Sequence, residues 1–337
     1  PRRPPVAAPR SPRERARVVV GSRWPAALFR RQGCGGVVAG VGGGEKGDLR
    51  GPRAPLWWLA LRCTPHSHLA RIFEEAPKSA SPAEEQGPPS TDARQEPDGN
   101  PDPTSTPATA TGRKLQIIPA GSIYTSQPDP RWFGNPPNAP TPAWSEANWL
   151  KSRMHFSFAE YSDPHNEGFG VLRVLNDDLV QPHRGFGTHP HRNMELVTYV
   201  VRGRLTHRDD VGTEGGQASL GPGGLQYMTA GTGVYHSEHN LSEGEPLRFI
   251  QIWILPQTMG LEPRYGETQT TAASQRNQWA HLVGDIEGGS GAAAKINQDA
   301  NVMACVLDAG AELPMPLAQG RQAYLLCVEG AIQLRGE

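Results

Sequence analysis

A chain of 337 residues has room for two domains of ordinary size. Its 33 Lys and Arg stand against 34 Asp and Glu, and a net charge of -1 excludes general attraction to nucleic acid or to an anionic membrane. Glycine (39) and proline (33) are abundant, which argues for short strands, turns and some disorder and against long helices.

Residues 1–113 are rich in arginine, proline and glycine at the start and end in "SASPAEEQGPPSTDARQEPDGNPDPTSTPATATG". Such a composition buries too little apolar surface to offset the entropy of ordering, so a disordered extension is expected. The opening "PRRPPVAAPRSPRERARVVVGSRWPAALFRR" holds one acid among many arginines. That pattern resembles an organelle transit peptide, with a linker or sequence upstream of a later start as equal alternatives. The apolar run "APLWWLALRC" is about half the length a bilayer span needs. A soluble, cytoplasmic protein is therefore expected, with organelle or nuclear location as alternatives.

From Arg113 the texture changes. "WLKSRMHFSFAEYSDP", "GFGVLRVLNDDLV", "MELVTYVVRG", "RLTHRD", "LQYMTAG", "VYHSEHN" and "LRFIQIWILP" are short apolar runs bounded by Gly, Asp, Asn or Pro, and they predict strands. In "RFIQIWIL", Ile250, Ile252 and Ile254 share one face while Phe249, Gln251 and Trp253 share the other. Many evenly spaced short strands predict an all-β barrel or sandwich.

A weak repeat supports duplication. "YVVRGRL" (199–205) aligns without gaps on "LCVEGAI" (326–332), an offset of 127 residues. Under that offset His189, His191 and Glu195 fall on Pro316, Ala318 and Gln322, so the second copy lacks the first copy's polar residues. It also stops soon after the aligned glycine, so either the second barrel is incomplete or the protein continues beyond Glu337. Cys34, Cys63, Cys305 and Cys327 have no C-x-x-C spacing, and Cys305 and Cys327 read as small hydrophobes in buried strands.

In "GTHPHRNMELVTYVVRG", His189 and His191 sit two apart, which in a strand places them on one face about 6.6–6.8 Å apart. Pro190 between them cannot donate a ladder bond and suits a strand start or an edge. About 45 residues on, "GTGVYHSEHN" repeats the spacing with His236 and Glu238. Two such pairs facing inward would make a shell of three imidazoles and one carboxylate. Nitrogen and oxygen ligands without thiolate suit Fe(II), Mn(II), Ni(II), Co(II) or Zn(II). Glu195 shares the strand face of the His pair but lies four residues beyond His191, about 13 Å along a straight strand, and reads as an outer-shell group.

The remaining histidines carry no such pattern. His155 packs beneath the barrel, His183 and His207 flank strand ends, and His239 points away from His236 and Glu238 by alternation. "AGTG" offers turn conformations at Gly231 and Gly233 and lacks the Lys-Ser/Thr tail of a phosphate loop.

"FGTHPHRNMELVTYVVRGRLTHRDDVG", "GPGGLQYMTAGTGVYHSEHN" and "LRFIQIWILP" resemble the pirin family of the cupin superfamily, over roughly residues 114–337. The resemblance implies a bicupin of double-stranded β-helix (jelly-roll) barrels: a metal-binding N-terminal cupin over 114–257 and a partial C-terminal cupin over 258–337 without metal ligands. It implies one divalent transition metal, Fe(II) first with Mn, Ni, Co, Cu or Zn as alternatives, held by His189, His191, His236 and Glu238. The implied reaction is quercetinase-like: oxidative ring opening of a flavonol by O2, with Glu238 taking a substrate hydroxyl proton. The alternative is an iron- and redox-sensing transcriptional coregulator that binds protein partners without turnover, with no direct nucleic-acid contact. An enzyme needs an open apolar pocket beside the metal, whereas a sensor needs a partner surface there.

Overall fold

The computed structural model describes residues 16–20, 37–41, 56–63, 70–74, 116–137, 149–212, 217–289, 291–315, 317–318 and 321–335. The strands among them run, in chain order, β1 (Ala16–Val20), β2 (Val37–Val41), β3 (Leu56–Cys63), β4 (Ala70–Glu74), β5 (Gln116–Pro119), β6 (Tyr124–Ser126), β7 (Leu150–Met154) and β8 (Leu172–Val180). There follow β9 (Arg184–His191), β10 (Glu195–Arg202), β11 (Leu205–Asp209), β12 (Ala218–Leu220), β13 (Gly224–Thr229), β14 (Val234–Asn240), β15 (Leu247–Ile254) and β16 (Arg264–Gln269). A one-turn helix, α1 (Ala272–Gln275), precedes β17 (Ala280–Asp285), β18 (Ala294–Ile296), β19 (Ala300–Leu307), β20 (Glu312–Met315), β21 (Gln322–Glu329) and β22 (Ile332–Arg335). The expected all-β architecture is what forms, and no helix among the described residues is long and apolar enough to cross a membrane.

The N-terminal unit is two antiparallel sheets, one ordered β16-β13-β10-β15-β8-β7-β6 and the other β12-β11-β14-β9. They pack face to face: Leu150, Val200, Leu247 and Phe249 of the first meet Leu205 and Leu220 of the second, closed by Trp149 and Phe186. The other face of the first sheet is buried too. Leu175, Val197, Tyr199, Ile250 and Ile252 pack against Val283, Ile296, Val302, Tyr324 and Leu326 in one apolar cluster, on β17, β18, β19 and β21, which with β20 and β22 are called the C-terminal unit. The all-isoleucine face of β15 therefore joins the two units, while Gln251 and Trp253 look into the N-terminal sandwich.

The weak repeat has a structural counterpart. Gly203 follows β10 and the aligned Gly330 follows β21, and both have positive φ, 76° and 89°. Each lets a strand turn back where a side chain would strain the backbone.

Four strands lie within the stretch whose composition predicts an extension; the rest of that stretch lies outside the described residues. The eight-stranded sheet runs β1-β5-β2-β21-β3-β19-β17-β18, and β4 lies between β20 and β22 in a three-stranded sheet. The apolar, aromatic run of β3 pairs in parallel with both β19 and β21. Averaged composition hides such a run, which a strand edge can recruit through its own β propensity. Cys305 and Cys327, on β19 and β21, are buried free thiols as expected.

Candidate metal centre

The two histidine-bearing strands are hydrogen-bonded neighbours. Among the described residues β9 is the edge of its sheet and pairs only with β14, so Pro190 leaves no interior ladder position unfilled. His236 lies directly opposite His189, and Tyr235 opposite Pro190. That register turns two sequence pairs into one cluster. The Nε2 atoms of His191 and His236 are 2.8 Å apart, and those of His236 and His189 3.0 Å.

One imidazole nitrogen facing two others at this distance cannot satisfy both as an ordinary hydrogen bond, since each contact needs its own proton. A divalent ion bonded at about 2.0–2.1 Å to each nitrogen spans gaps of this size. The protonation pattern agrees. His189 Nδ1 stands 2.7 Å from the Gly187 carbonyl, to which it donates, leaving the Nε2 lone pair for the cluster. Burial lowers the pKa of all three rings, that of His191 to about 3 with help from His189, and that of His236 further still. All are neutral near pH 7, as metal ligands must be.

Glu238 sits differently from its expected place. Its oxygens lie within 4.8 Å of ligand atoms on His236 and His207, a group that shares His236 with the three-histidine cluster but is separate from it. The ladder between β9 and β14 is irregular here: His236 pairs with His189 but Glu238 with Phe186, so the extra residue lies on β9 and Glu238 keeps the face of His236. The carboxylate is held from the opposite sheet: Oε1 accepts from Gln226 Nε2 at 2.6 Å and lies 3.2 Å from Thr198 Oγ1, and Oε2 accepts from Gln251 Nε2 at 3.2 Å. Burial raises its pKa to about 7 against the pull of these three partners.

His207 is the residue that sequence reasoning missed. It is fully buried on β11 opposite Glu238, stacks on Tyr265 at 4.7 Å, and its Nε2 lies 2.9 Å from Asp209 Oδ2. The spacing His207-x-Asp209 was the available signal, because both project to one face of a strand. Glu195 is the reverse case. The chain turns at Asn193 (φ 51°) and Glu195 opens β10 in the other sheet, so the phase of the His pair is lost. Its carboxylate accepts from Thr229 Oγ1 (2.8 Å) and from Asn297 Nδ2 (3.1 Å) of the C-terminal unit.

His155 is buried with Nδ1 2.8 Å from the Tyr324 hydroxyl, and His183 is in the turn between β8 and β9, near Glu243. Gly231 has φ 45°, and an added Cβ would stand 1.9 Å from the Leu261 carbonyl, so its role is backbone geometry.

Between the two sheets, beside the cluster, is a cavity of about 260 Å³. Phe133, Met154, Phe158, Phe186 and Trp253 supply its apolar wall, and His189, His191 and Glu238 line it. Trp132 borders it and is 63% exposed. Its size lies just below the usual range for ligand pockets, about 300–1,000 Å³, and suits one small planar molecule.

A family model described as Pirin matches residues 138–254, and one described as Quercetinase C-terminal cupin domain matches residues 287–337. A protein of Pseudomonas aeruginosa is 44% identical over 188 residues, 56% of this chain and 79% of the relative. The quercetin 2,3-dioxygenase of Escherichia coli K12 is 39% identical over 188 residues, 56% of this chain and 78% of its own. A solved structure of a bacterial pirin from Escherichia coli in complex with nickel(II) shares 38% identity over 52% of this chain and 68% of its own, with a TM-score of 0.40.

Proposed function

The chain belongs to the pirin family, and from that premise we propose that it is a metal-dependent dioxygenase that opens the central ring of quercetin-type flavonols with O2. His189, His191 and His236 are the residues we assign to hold the ion, with Glu238 as the carboxylate beside it. The observation that carries this reading is the convergence of three neutral Nε2 atoms beside an apolar-walled cavity that His189 and His191 line. Donors without thiolate suit several divalent ions, and reaction with O2 favours a redox-active one, so Fe(II) is assigned ahead of Mn, Ni, Co, Cu or Zn. When bound, the ion supplies a Lewis acid for a hydroxy-keto pair and a path for electrons between substrate and O2.

The chain's own residues do the rest. Phe133, Phe158, Phe186 and Trp253 exclude water and hold a planar ring system. Glu238 receives the proton of the substrate hydroxyl at Oε2, the oxygen with the single partner Gln251, and a pKa near 7 lets it take and return a proton near neutrality. Gln226, Thr198 and Gln251 fix the orientation of that carboxylate. A partly open, apolar-walled cavity beside the cluster favours turnover over a sensor that reads the ion from a partner surface.

The test is metal analysis of the purified full chain together with O2 uptake on adding quercetin. Bound metal with quercetin-dependent O2 consumption is expected; bound metal with no consumption would transfer support to the redox-sensing coregulator.

A further inference from the structure

The cavity has a second polar surface, on the sheet that faces the histidines. On β8 the sequence Asn176-Asp177-Asp178 alternates: Asn176 and Asp178 face the cavity, and Ser152 on β7 lies directly opposite Asp178. All three are more than nine-tenths buried, with 1% of Ser152, 4% of Asn176 and 3% of Asp178 exposed. Yet Ser152 Oγ, Asn176 Oδ1 and Asp178 Oδ1 have no hydrogen-bond partner within the chain. The indole Nε1 of Trp253, on the same wall, has none either. Of the eight buried side-chain polar atoms in this condition among the described residues, four belong to residues that line one cavity.

Leaving a polar group buried and unpaired costs folding energy, and such groups are rare unless a ligand uses them. Three apolar side chains would fill this wall at lower cost. The Ser152 hydroxyl stands close enough to Asp178 to ease its ionisation but makes no hydrogen bond of normal geometry with it. Burial is the larger influence and keeps Asp178 protonated near neutral pH, so its carboxyl can donate as well as accept. The residues of this wall thus carry an amide carbonyl, a serine hydroxyl, a carboxyl and an indole N–H that no group of the chain uses, a set that matches phenolic hydroxyls and ring carbonyls. It holds no cation to recognise phosphate or carboxylate.

We propose that Ser152, Asn176 and Asp178 are positioning residues that hydrogen-bond phenolic hydroxyls on the part of the substrate remote from the histidine cluster, and so select polyhydroxylated aromatics over less hydroxylated ones. This rests on the flavonol reading above. It adds a selectivity that the cluster alone does not supply, because a 3-hydroxy-4-keto pair is common to all flavonols.

The test uses the full chain and a flavonol series that keeps the 3-hydroxy-4-keto pair and loses its other hydroxyls ring by ring. Binding is followed by quenching of tryptophan fluorescence in metal-free protein, and turnover by O2 uptake after metal loading. Wild type is expected to bind the fully hydroxylated member at least tenfold more tightly than the stripped one. Asp178→Ala should erase most of that ratio, and Asp178→Asn, which keeps a donor and an acceptor, should restore much of it. Circular dichroism checks folding, and Ser152→Ala, a smaller change, serves if Asp178→Ala does not fold. Variants that keep the wild-type ratio, or a wild type that binds the whole series equally, overturn the proposal. An intact ratio without O2 uptake for any flavonol would sink the dioxygenase reading and leave the wall standing.

Discussion

Asp177 and Asp178 are consecutive on β8 and serve opposite faces of one sheet. Asp177 receives a two-point ion pair from Arg248, 2.8 Å to Oδ1 and 2.7 Å to Oδ2, at the junction with the C-terminal unit, where Arg248 also donates to the Val328 carbonyl at 3.1 Å. Asp178 looks into the cavity. A single strand therefore ties the metal-side pocket to the joint between the two units.

That tie has a measurable energy. Arg248→Met is expected to lower stability by up to about 3–5 kcal/mol near neutral pH, because buried Asp177 loses its two-point partner, with the Coulombic pull of Arg153 remaining. Urea unfolding of the variant against wild type reads the loss. A change under about 1 kcal/mol would mean that the junction does not need the pair.

His191→Ala and His236→Ala are each expected to remove most of the bound metal, because each deletes one of three converging nitrogens. Elemental analysis of the purified variants decides it, and undiminished metal content contradicts the ligand assignment.

Glu238→Gln keeps the side chain's shape and much of its hydrogen bonding to Thr198, Gln226 and Gln251 but cannot take a proton. Quercetin-dependent O2 uptake is expected to fall about 10²–10⁴-fold. Because Glu238 stands with His236 and His207 and not among all three histidines, metal content should fall less than in His191→Ala. Equal loss of metal in both variants would show the carboxylate to be a full ligand.

The metal-free protein should lose stability on mild acidification. Burial holds His191 at about 3 in the folded state against an ordinary 6.5, so between those values the unfolded chain binds a proton that the folded one refuses. Its contribution is present above pH 6.5 and is lost as pH falls toward 3. His191→Phe should flatten this part of the pH-stability curve in chelator-treated protein. An unchanged slope would mean that the ring is not the source.

Much of this was legible before any fold was known. The alternation of Ile250, Ile252 and Ile254 marked a buried strand, and the paired spacings His189-x-His191 and His236-x-Glu238 marked two faces able to meet. Both are period-two signals carried within a single strand. The repeat that aligns Gly203 with Gly330 pointed to duplication, and the structure adds that both glycines turn the chain with positive φ.

What the chain's order of residues determined by itself, then, is which side chains share a face. The tertiary structure alone decided which faces meet. The His189–His236 register, the hold of Gln226 and Gln251 on Glu238, the burial of His207 beside His236 and the capture of Glu195 by Asn297 join residues from 12 to 102 positions apart. Periodicity is local, whereas ladder register and sheet-on-sheet packing are set by the summed contacts of many strands, so no short motif could encode them.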